Sequence, residues 1–366
     1  MLSLILLQLC LLIASQVLHG QQQVLCVQAS SGNSVSSSEC KTLMDWYNNF
    51  SAAAFTSNTK LLFQEGIHSL HEFINISNCH NFTMAGNGSV WHDNNGLPQP
   101  TSIISCLGTF DAGLFISNSS NIRIQHLEFN ICSGFYTLNG HYHFVGSLVL
   151  YRVQDVKLDQ IVVNGTTGYG IHTVNIYGTN EISNSAFLNA SASEHTIYRS
   201  GNADFFFDDF SNVITKLEVK SSWFMHGKNN VTAGGLSIEI HCTNVYVKLT
   251  NVTAKGNSGN YAGNIALSIA LFSVNISSII IENSHIVEGR ANHGGGISIL
   301  ITKRKQPEYY TDSLCLSRHG TQQLILINKT YFHKNSASVT GGAMYIIYKD
   351  IDIEAGIKRK ITIAKL

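Results

Sequence analysis

Charge is scarce in this chain. Lys, Arg, Asp and Glu make up 13% of its 366 residues, about half the usual share of roughly 25%. With 23 basic and 23 acidic side chains there is no excess of either sign. That balance excludes the basic footprint of a nucleic-acid binder or of a protein held on an anionic membrane. Disorder is excluded as well, because 44% hydrophobic residues are ample for a core. There is no CxxC pair, and the cysteine spacings do not fit a zinc site. Beyond Leu18 no run approaches the roughly 18 uninterrupted apolar residues of a membrane span. Helical stripes are scarce too: one segment near the N-terminus has one, and elsewhere period-two alternation prevails.

The first 18 residues, Met1 to Leu18, form an uncharged apolar run ahead of His19-Gly20-Gln21. This reads as a signal peptide (residues 1–20) cut between Ser15 and Gly20, so the mature chain is expected to be secreted or on the extracellular surface. Eleven Asn-x-Ser/Thr sequons point the same way: Asn49, Asn75, Asn81, Asn87, Asn118, Asn164, Asn189, Asn230, Asn251, Asn275 and Asn328. Asn also suits left-handed corners and stacked amide ladders, so some of these, Asn230 and Asn251 above all, are expected to be structural. Cleavage removes Cys10 and leaves Cys26, Cys40, Cys79, Cys106, Cys132, Cys242 and Cys315, an odd number for an oxidising compartment. The favoured pair is Cys26–Cys40, closing the Ser-rich loop between them, with Cys79–Cys106 next.

From Leu217 to Ile347 one pattern is written four times: an alternating apolar run, a polar turn, a segment ending in Asn, a Gly-rich corner and a second apolar run. Anchored on Gly235, Gly263, Gly295 and Gly341, the spacings are 28, 32 and 46. The last is stretched by a charged insertion at 302–323. Short β-branched segments such as Val245, Val247 and Leu249 alternate with period two, and none can bury its apolar face alone. Stacking each strand in parallel on its equivalent in the next copy buries a continuous core, which makes the expected fold an all-β solenoid, a right-handed parallel β-helix. Residues 21–58 lead into it with a strand at Val24–Gln28 and a helix from Cys40 to Phe50. That helix carries Leu43, Trp46, Tyr47, Phe50 and Ala54 on one stripe and is placed to cap the open first coil. The β-helix then occupies 59–366, with strand pattern continuing to a C-terminus that reads as an open end. Trp91 to Pro100 and Asn202 to Phe210 are expected to be loops.

The order of segments from Thr59 to Gly88, a strand into a Gly turn followed by strands ending in Gly-x-Gly, resembles the pectin-lyase-like right-handed parallel β-helix superfamily. Phe332-His333-Lys334-Asn335 followed by Gly341-Gly342-Ala343 resembles the FxxN and GGA repeats of polymorphic outer-membrane-protein adhesins. The first resemblance implies a polysaccharide lyase or hydrolase. Hydrolysis needs carboxylates about 5–10 Å apart across the sugar bond, and a lyase needs a carboxylate-held Ca²⁺ with a basic residue. The acidic candidates are Asp204, Asp208 and Asp209. The hydrolases' NTD and GHG elements are absent, Arg318-His319-Gly320 being a poor substitute, and Val90-Trp91-His92-Asp93 only echoes a pectate-lyase element. His141-x-His143 could place two imidazoles on one strand face but has no third ligand, so neither metal nor cofactor is expected. Trp223, Phe224, Tyr331 and Phe332 read as core or surface ladder. The sequence thus points to a non-catalytic extracellular binding or adhesion module whose partners are glycans or extracellular proteins. The alternatives are an enzyme working through the 202–210 acids and the N-terminal fragment of a larger surface receptor.

Overall fold

A computed structural model describes residues 23–30, 40–49, 57–106, 112–132, 134–138, 142–191, 201–208, 213–241, 244–271, 278–303, 323–349 and 360–364. The leader, Cys242, Cys315, Asp209, His141, Asn275, Phe50, Ala54 and most of the insertion lie outside them.

Among the described residues the chain builds three long sheets, of twelve (A), nine (B) and ten (C) strands. Successive strands enter A, then B, then C, and each pairs in parallel with the equivalent strand one turn earlier and one turn later. This is a parallel β-helix, with the right-handed sense that such crossovers take. Period two puts alternate side chains inside. The columns Leu217–Val247–Ile279–Ile325 in sheet A and Phe205–Ile238–Leu267–Ile299 in sheet C are in register and buried. They belong to one core running from Leu25 to Ile327. Among the described residues no helix is long and apolar enough to cross a membrane.

The chain leaves sheet A through a single left-handed residue in seven successive coils: His126, Gln160, Asn184, Ser221, Asn251, Asn283 and Lys329. It leaves sheet B the same way, through Ile131, Gly165, Asn189, His226, Gly256, Glu288 and Lys334. One positive φ reverses the pleat at the corner, so the next strand again starts with its apolar side inward. Asn and Gly tolerate this conformation best, and they fill six of these fourteen corners.

Inside the corner between sheets B and C lies a second device. The position before the first inward residue shared by the sheet C strands reads Gly170, Asn202, Gly235, Asn264, Gly296 and Ala343 in consecutive coils, and the second position after sheet B reads Gly227, Asn257, Gly289 and Asn335. Coils bearing Asn thus alternate with coils bearing Gly. Asn257 Nδ2 donates to Phe224 O (2.7 Å) and Asn264 Oδ1 (2.8 Å), while its Oδ1 accepts from Gly227 N (2.8 Å) and Asn202 Nδ2 (3.1 Å). Asn264 continues the chain to Asn335 Oδ1 (3.0 Å) and Val287 O (3.1 Å). The glycines make room for these amides: a Cβ on Gly235 would sit 2.3 Å from Asn264 O and 2.8 Å from Asn257 Nδ2.

Four sequence expectations are corrected here. Residues 201–207 form a strand of sheet C, with Ala203, Phe205 and Phe207 buried in the core, so most of Asn202–Phe210 is sheet and not loop. Val90–His92 and Pro98–Pro100 form an antiparallel hairpin whose Leu97 packs with Val162 and Ala186 on the outer face of sheet B. Register equates Gly234, Gly263, Gly295 and Gly342, giving spacings of 29, 32 and 47; the doubled glycines hid a one-residue offset that strand pairing resolves. Finally, Cys106 is bonded to Cys132 and not to Cys79, because both sit at the exit of sheet B in adjacent coils with Cα atoms 4.8 Å apart. Cys79 stands at the corner between C and A as a buried thiol, pushed up to about 11 by that burial. Cys26–Cys40 forms as expected.

At the N-terminus the helix spans Leu43–Asn49. Thr42 and Asp45 form a reciprocal capping pair: Asp45 N donates to Thr42 Oγ1 (3.1 Å) and Thr42 N to the Asp45 carboxylate (3.3 Å). Leu43 and Trp46 are buried with the core, and Trp46 Nε1 donates to Cys26 O at 2.7 Å.

Candidate functional site

Two of the sequence-predicted acids lie on the outer side of sheet C, and each meets a histidine instead of another acid. Asp204 follows Ala203 in its strand and so points away from the core; it stands in register with His172 of the previous coil. Its Oδ2 is 3.0 Å from His172 Nδ1, and the residue is only 4% exposed. Tyr169 stacks on the other side of that imidazole, with ring centroids 5.0 Å apart. Asp208, four residues on and exposed, lies 3.5 Å from His241 Nδ1 of the following coil. Phe206 meets the His241 ring edge-on. Four residues of strand separate Asp204 from Asp208 by roughly 13 Å, beyond the reach of a shared glycosidic oxygen. Among the described residues no group of three or more His, Cys, Asp or Glu side chains converges to hold a metal ion.

A different constellation is open to solvent. In the last three coils Tyr261 and His293, on the strip between sheets B and C, form a column of rings with Tyr345 on the adjoining last strand of sheet C. Tyr261 stacks on His293 (6.1 Å, 23°) and His293 on Tyr345 (5.2 Å, 20°). Tyr261 is 48% exposed. Beside the rings runs an amide ladder: Asn292 Nδ2 donates to Asn260 Oδ1 (2.7 Å) and Ser338 Oγ to Asn292 Oδ1 (2.7 Å). His293 Nδ1 contacts Thr340 Oγ1 at 2.9 Å. The strip is held out from the core by the parallel pairing of Arg290–His293 with Ser336–Thr340. Arg290 projects from it into solvent. Stacked rings with polar edges and amides bonded only along the ladder leave N–H and O–H groups facing outward, a surface suited to the apolar faces and hydroxyls of a sugar or to a polar protein surface. A second group of exposed rings, His285, Tyr331 and His333, lies on the outer face of sheet B.

None of Tyr261, His293, Tyr345, Asn260 or Asn292 was singled out from sequence. The signal was there: Asn260-Tyr261 and Asn292-His293 stand 32 residues apart, the same spacing as Gly263 and Gly295. Of the expected ring positions, Phe224 is core, stacked on Phe187 at 5.2 Å. Trp223 packs with the Leu97 cluster, Phe332 packs against the core, and Tyr331 is surface. The sequons divide. Asn81 belongs to an amide ladder with Asn58 and Asn121, Asn189 donates to Asn164 Oδ1, and Asn251 is left-handed and donates to Ser221 Oγ. Asn75 and Asn328 are half-buried and Asn49 ends the helix. Asn87, Asn118 and Asn230 are exposed.

The chain matches no protein-family model and no curated protein. Among solved structures it is similar to a pectate lyase, Pel9A, at 13% identity over 91% of this chain and 79% of that one, with a TM-score of 0.45. It is similar to the pectin methylesterase of Aspergillus niger at 10% identity over 92% and 90%, with a TM-score of 0.38. The Streptococcus pneumoniae surface protein and adhesin PfbA is similar at 11% over 83% and 91%, with a TM-score of 0.31.

Proposed function

We propose that this chain is a secreted, non-catalytic binding module of the extracellular space, and that the strip between sheets B and C in its last coils takes a glycan or an extracellular protein. The observation that supports this best is the ring-and-amide column of Tyr261, His293, Tyr345, Asn260 and Asn292, with Tyr261 and Asn292 exposed and the others half-buried, which offers neutral donors, acceptors and aromatic surface with no acid among them. Asp204 pairs with His172 and Asp208 with His241, and about 13 Å of backbone separates the two acids, which weighs against hydrolysis by that pair. Two disulfides suit an oxidising compartment.

The test is a panel of neutral and acidic polysaccharides offered to the secreted protein with and without Ca²⁺. Wild type is compared with Tyr261→Ala/His293→Ala and with Asp204→Asn/Asp208→Asn. Binding without cleavage, weakened on the order of tenfold by loss of the rings and unchanged by loss of the acids, is the expected result. Cleavage that disappears in the acid variant would overturn the proposal and make sheet C an active site.

A further inference from the structure

Asn230 stands at the head of the exposed strip. Lys228 bridges to Ser258 and Ala233 to Ala262, which sets residues 228–233 alongside 258–262 in the next coil, so Asn230 falls beside Gly259 and Asn260, while Thr232 O of the same turn accepts from Tyr261 N (3.2 Å). The corner is held by its neighbour: Asn229 Oδ1 accepts from Val231 N (2.6 Å) and Thr232 N (2.8 Å), and its Nδ2 donates to Thr232 Oγ1 (2.8 Å). Asn229 is buried and Asn230 exposed. The structural role expected of Asn230 is therefore carried one residue earlier, and the Asn230-Val231-Thr232 sequon is left at the tip of a fixed turn.

We propose that Asn230 carries an N-linked glycan, and that this glycan lies along the Asn260–Asn292 and Tyr261–His293 strip, making the chain's own sugar the first occupant of the binding surface. The inference rests on the reading of the chain as secreted and of this strip as its binding face. The chemistry needs only a lipid-diphosphate-linked oligosaccharide of the secretory compartment. Asn230 Nδ2 bonds to the anomeric carbon and gives up one proton, and the carbon–oxygen bond to the diphosphate breaks, releasing the lipid diphosphate. A sugar tethered beside the strip competes there at high effective concentration, so an external ligand must displace it. The committed amides of Asn81, Asn189 and Asn251 offer no such neighbour surface.

The experiment uses the full chain secreted from cells that perform N-glycosylation. Glycopeptide mass spectrometry reads occupancy at every sequon. Hydroxyl-radical footprinting then compares Tyr261 and His293 in the glycosylated protein, in the enzymatically deglycosylated protein and in Asn230→Gln, with Tyr331 as internal control. The expected result is an occupied Asn230, and oxidation of Tyr261 and His293 that rises several-fold on deglycosylation and equally in Asn230→Gln, while Tyr331 is unchanged. An unmodified Asn230 beside occupied Asn87 or Asn118 overturns the site while leaving secretion intact. A secreted chain with no glycan at any sequon likewise overturns the site, and a chain retained inside the cells overturns the secreted reading itself. An occupied Asn230 without protection of Tyr261 overturns the docking.

Discussion

Asn257 uses all of its hydrogen-bonding capacity inside the molecule, two donors and two acceptor positions, with no water needed. Replacing it by Ala would leave Gly227 N–H, Phe224 O and two neighbouring amides short of a partner in a buried site. We expect a loss of about 3 kcal/mol or more in chemical denaturation. The isosteric Asp should rescue little, since it cannot donate to Phe224 O. His68 is a second fully buried polar residue, with Nδ1 3.1 Å from Gln28 O and Nε2 2.8 Å from Gln64 O. Burial lowers its affinity for a proton, against the opposing pull of those carbonyls. The native imidazole is therefore protonated at lower pH than the unfolded one, whose ordinary value is 6.5. The stability tied to its neutral form is complete above that value and erodes as pH falls below it. Melting temperatures across pH 7.5 to 5 should fall more steeply for wild type than for His68→Gln; parallel curves would remove His68 from the acid response.

The short helix makes its contribution through two side chains and one cap. Truncating Trp46 removes a buried indole and its bond to Cys26 O, and we expect Trp46→Ala to lower stability by about 3–5 kcal/mol. Thr42→Ala, which breaks only the capping pair, should lower it by about 1 kcal/mol. If Trp46→Ala melts like wild type, the helix does not close the end of the core. Elements with a clean signal were legible beforehand: period-two runs such as Val245–Leu249 emerged where expected, and the helix expected over Cys40–Phe50 stands at Leu43–Asn49, behind a short strand at Cys40–Lys41. The strand at 201–207 did not, because its outward positions carry Asp204 and Phe206, so the aromatic and acidic run resembled an exposed loop. Its inward positions, Ala203, Phe205 and Phe207, obeyed the pattern all along. The ring-and-amide strip was missed for a related reason: its rings stack between coils, through contacts 32 residues apart or more, and local periodicity does not register them. The Cys106–Cys132 bond escaped likewise, since only the register of adjacent coils brings the two thiols together.

At the scale of the whole molecule, the alternation of Asn and Gly at the inner corner from Gly170 to Asn335 means that in this part of the solenoid the repeating unit is two turns. A stack of identical turns can gain or lose any number of them, whereas this one obeys parity. Removing residues 245–277 would set the Gly227 and Gly235 turn against the Gly289 and Gly296 turn, leaving a hollow without amides. Removing residues 215–277 would set Asn202 against those same glycines and restore the match. We expect the shorter protein lacking two turns to be secreted and to unfold cooperatively, and the longer protein lacking one to be retained or to melt well below it. Growth of such a chain by duplication would then proceed in even steps, with the corner acting as a counter of turns.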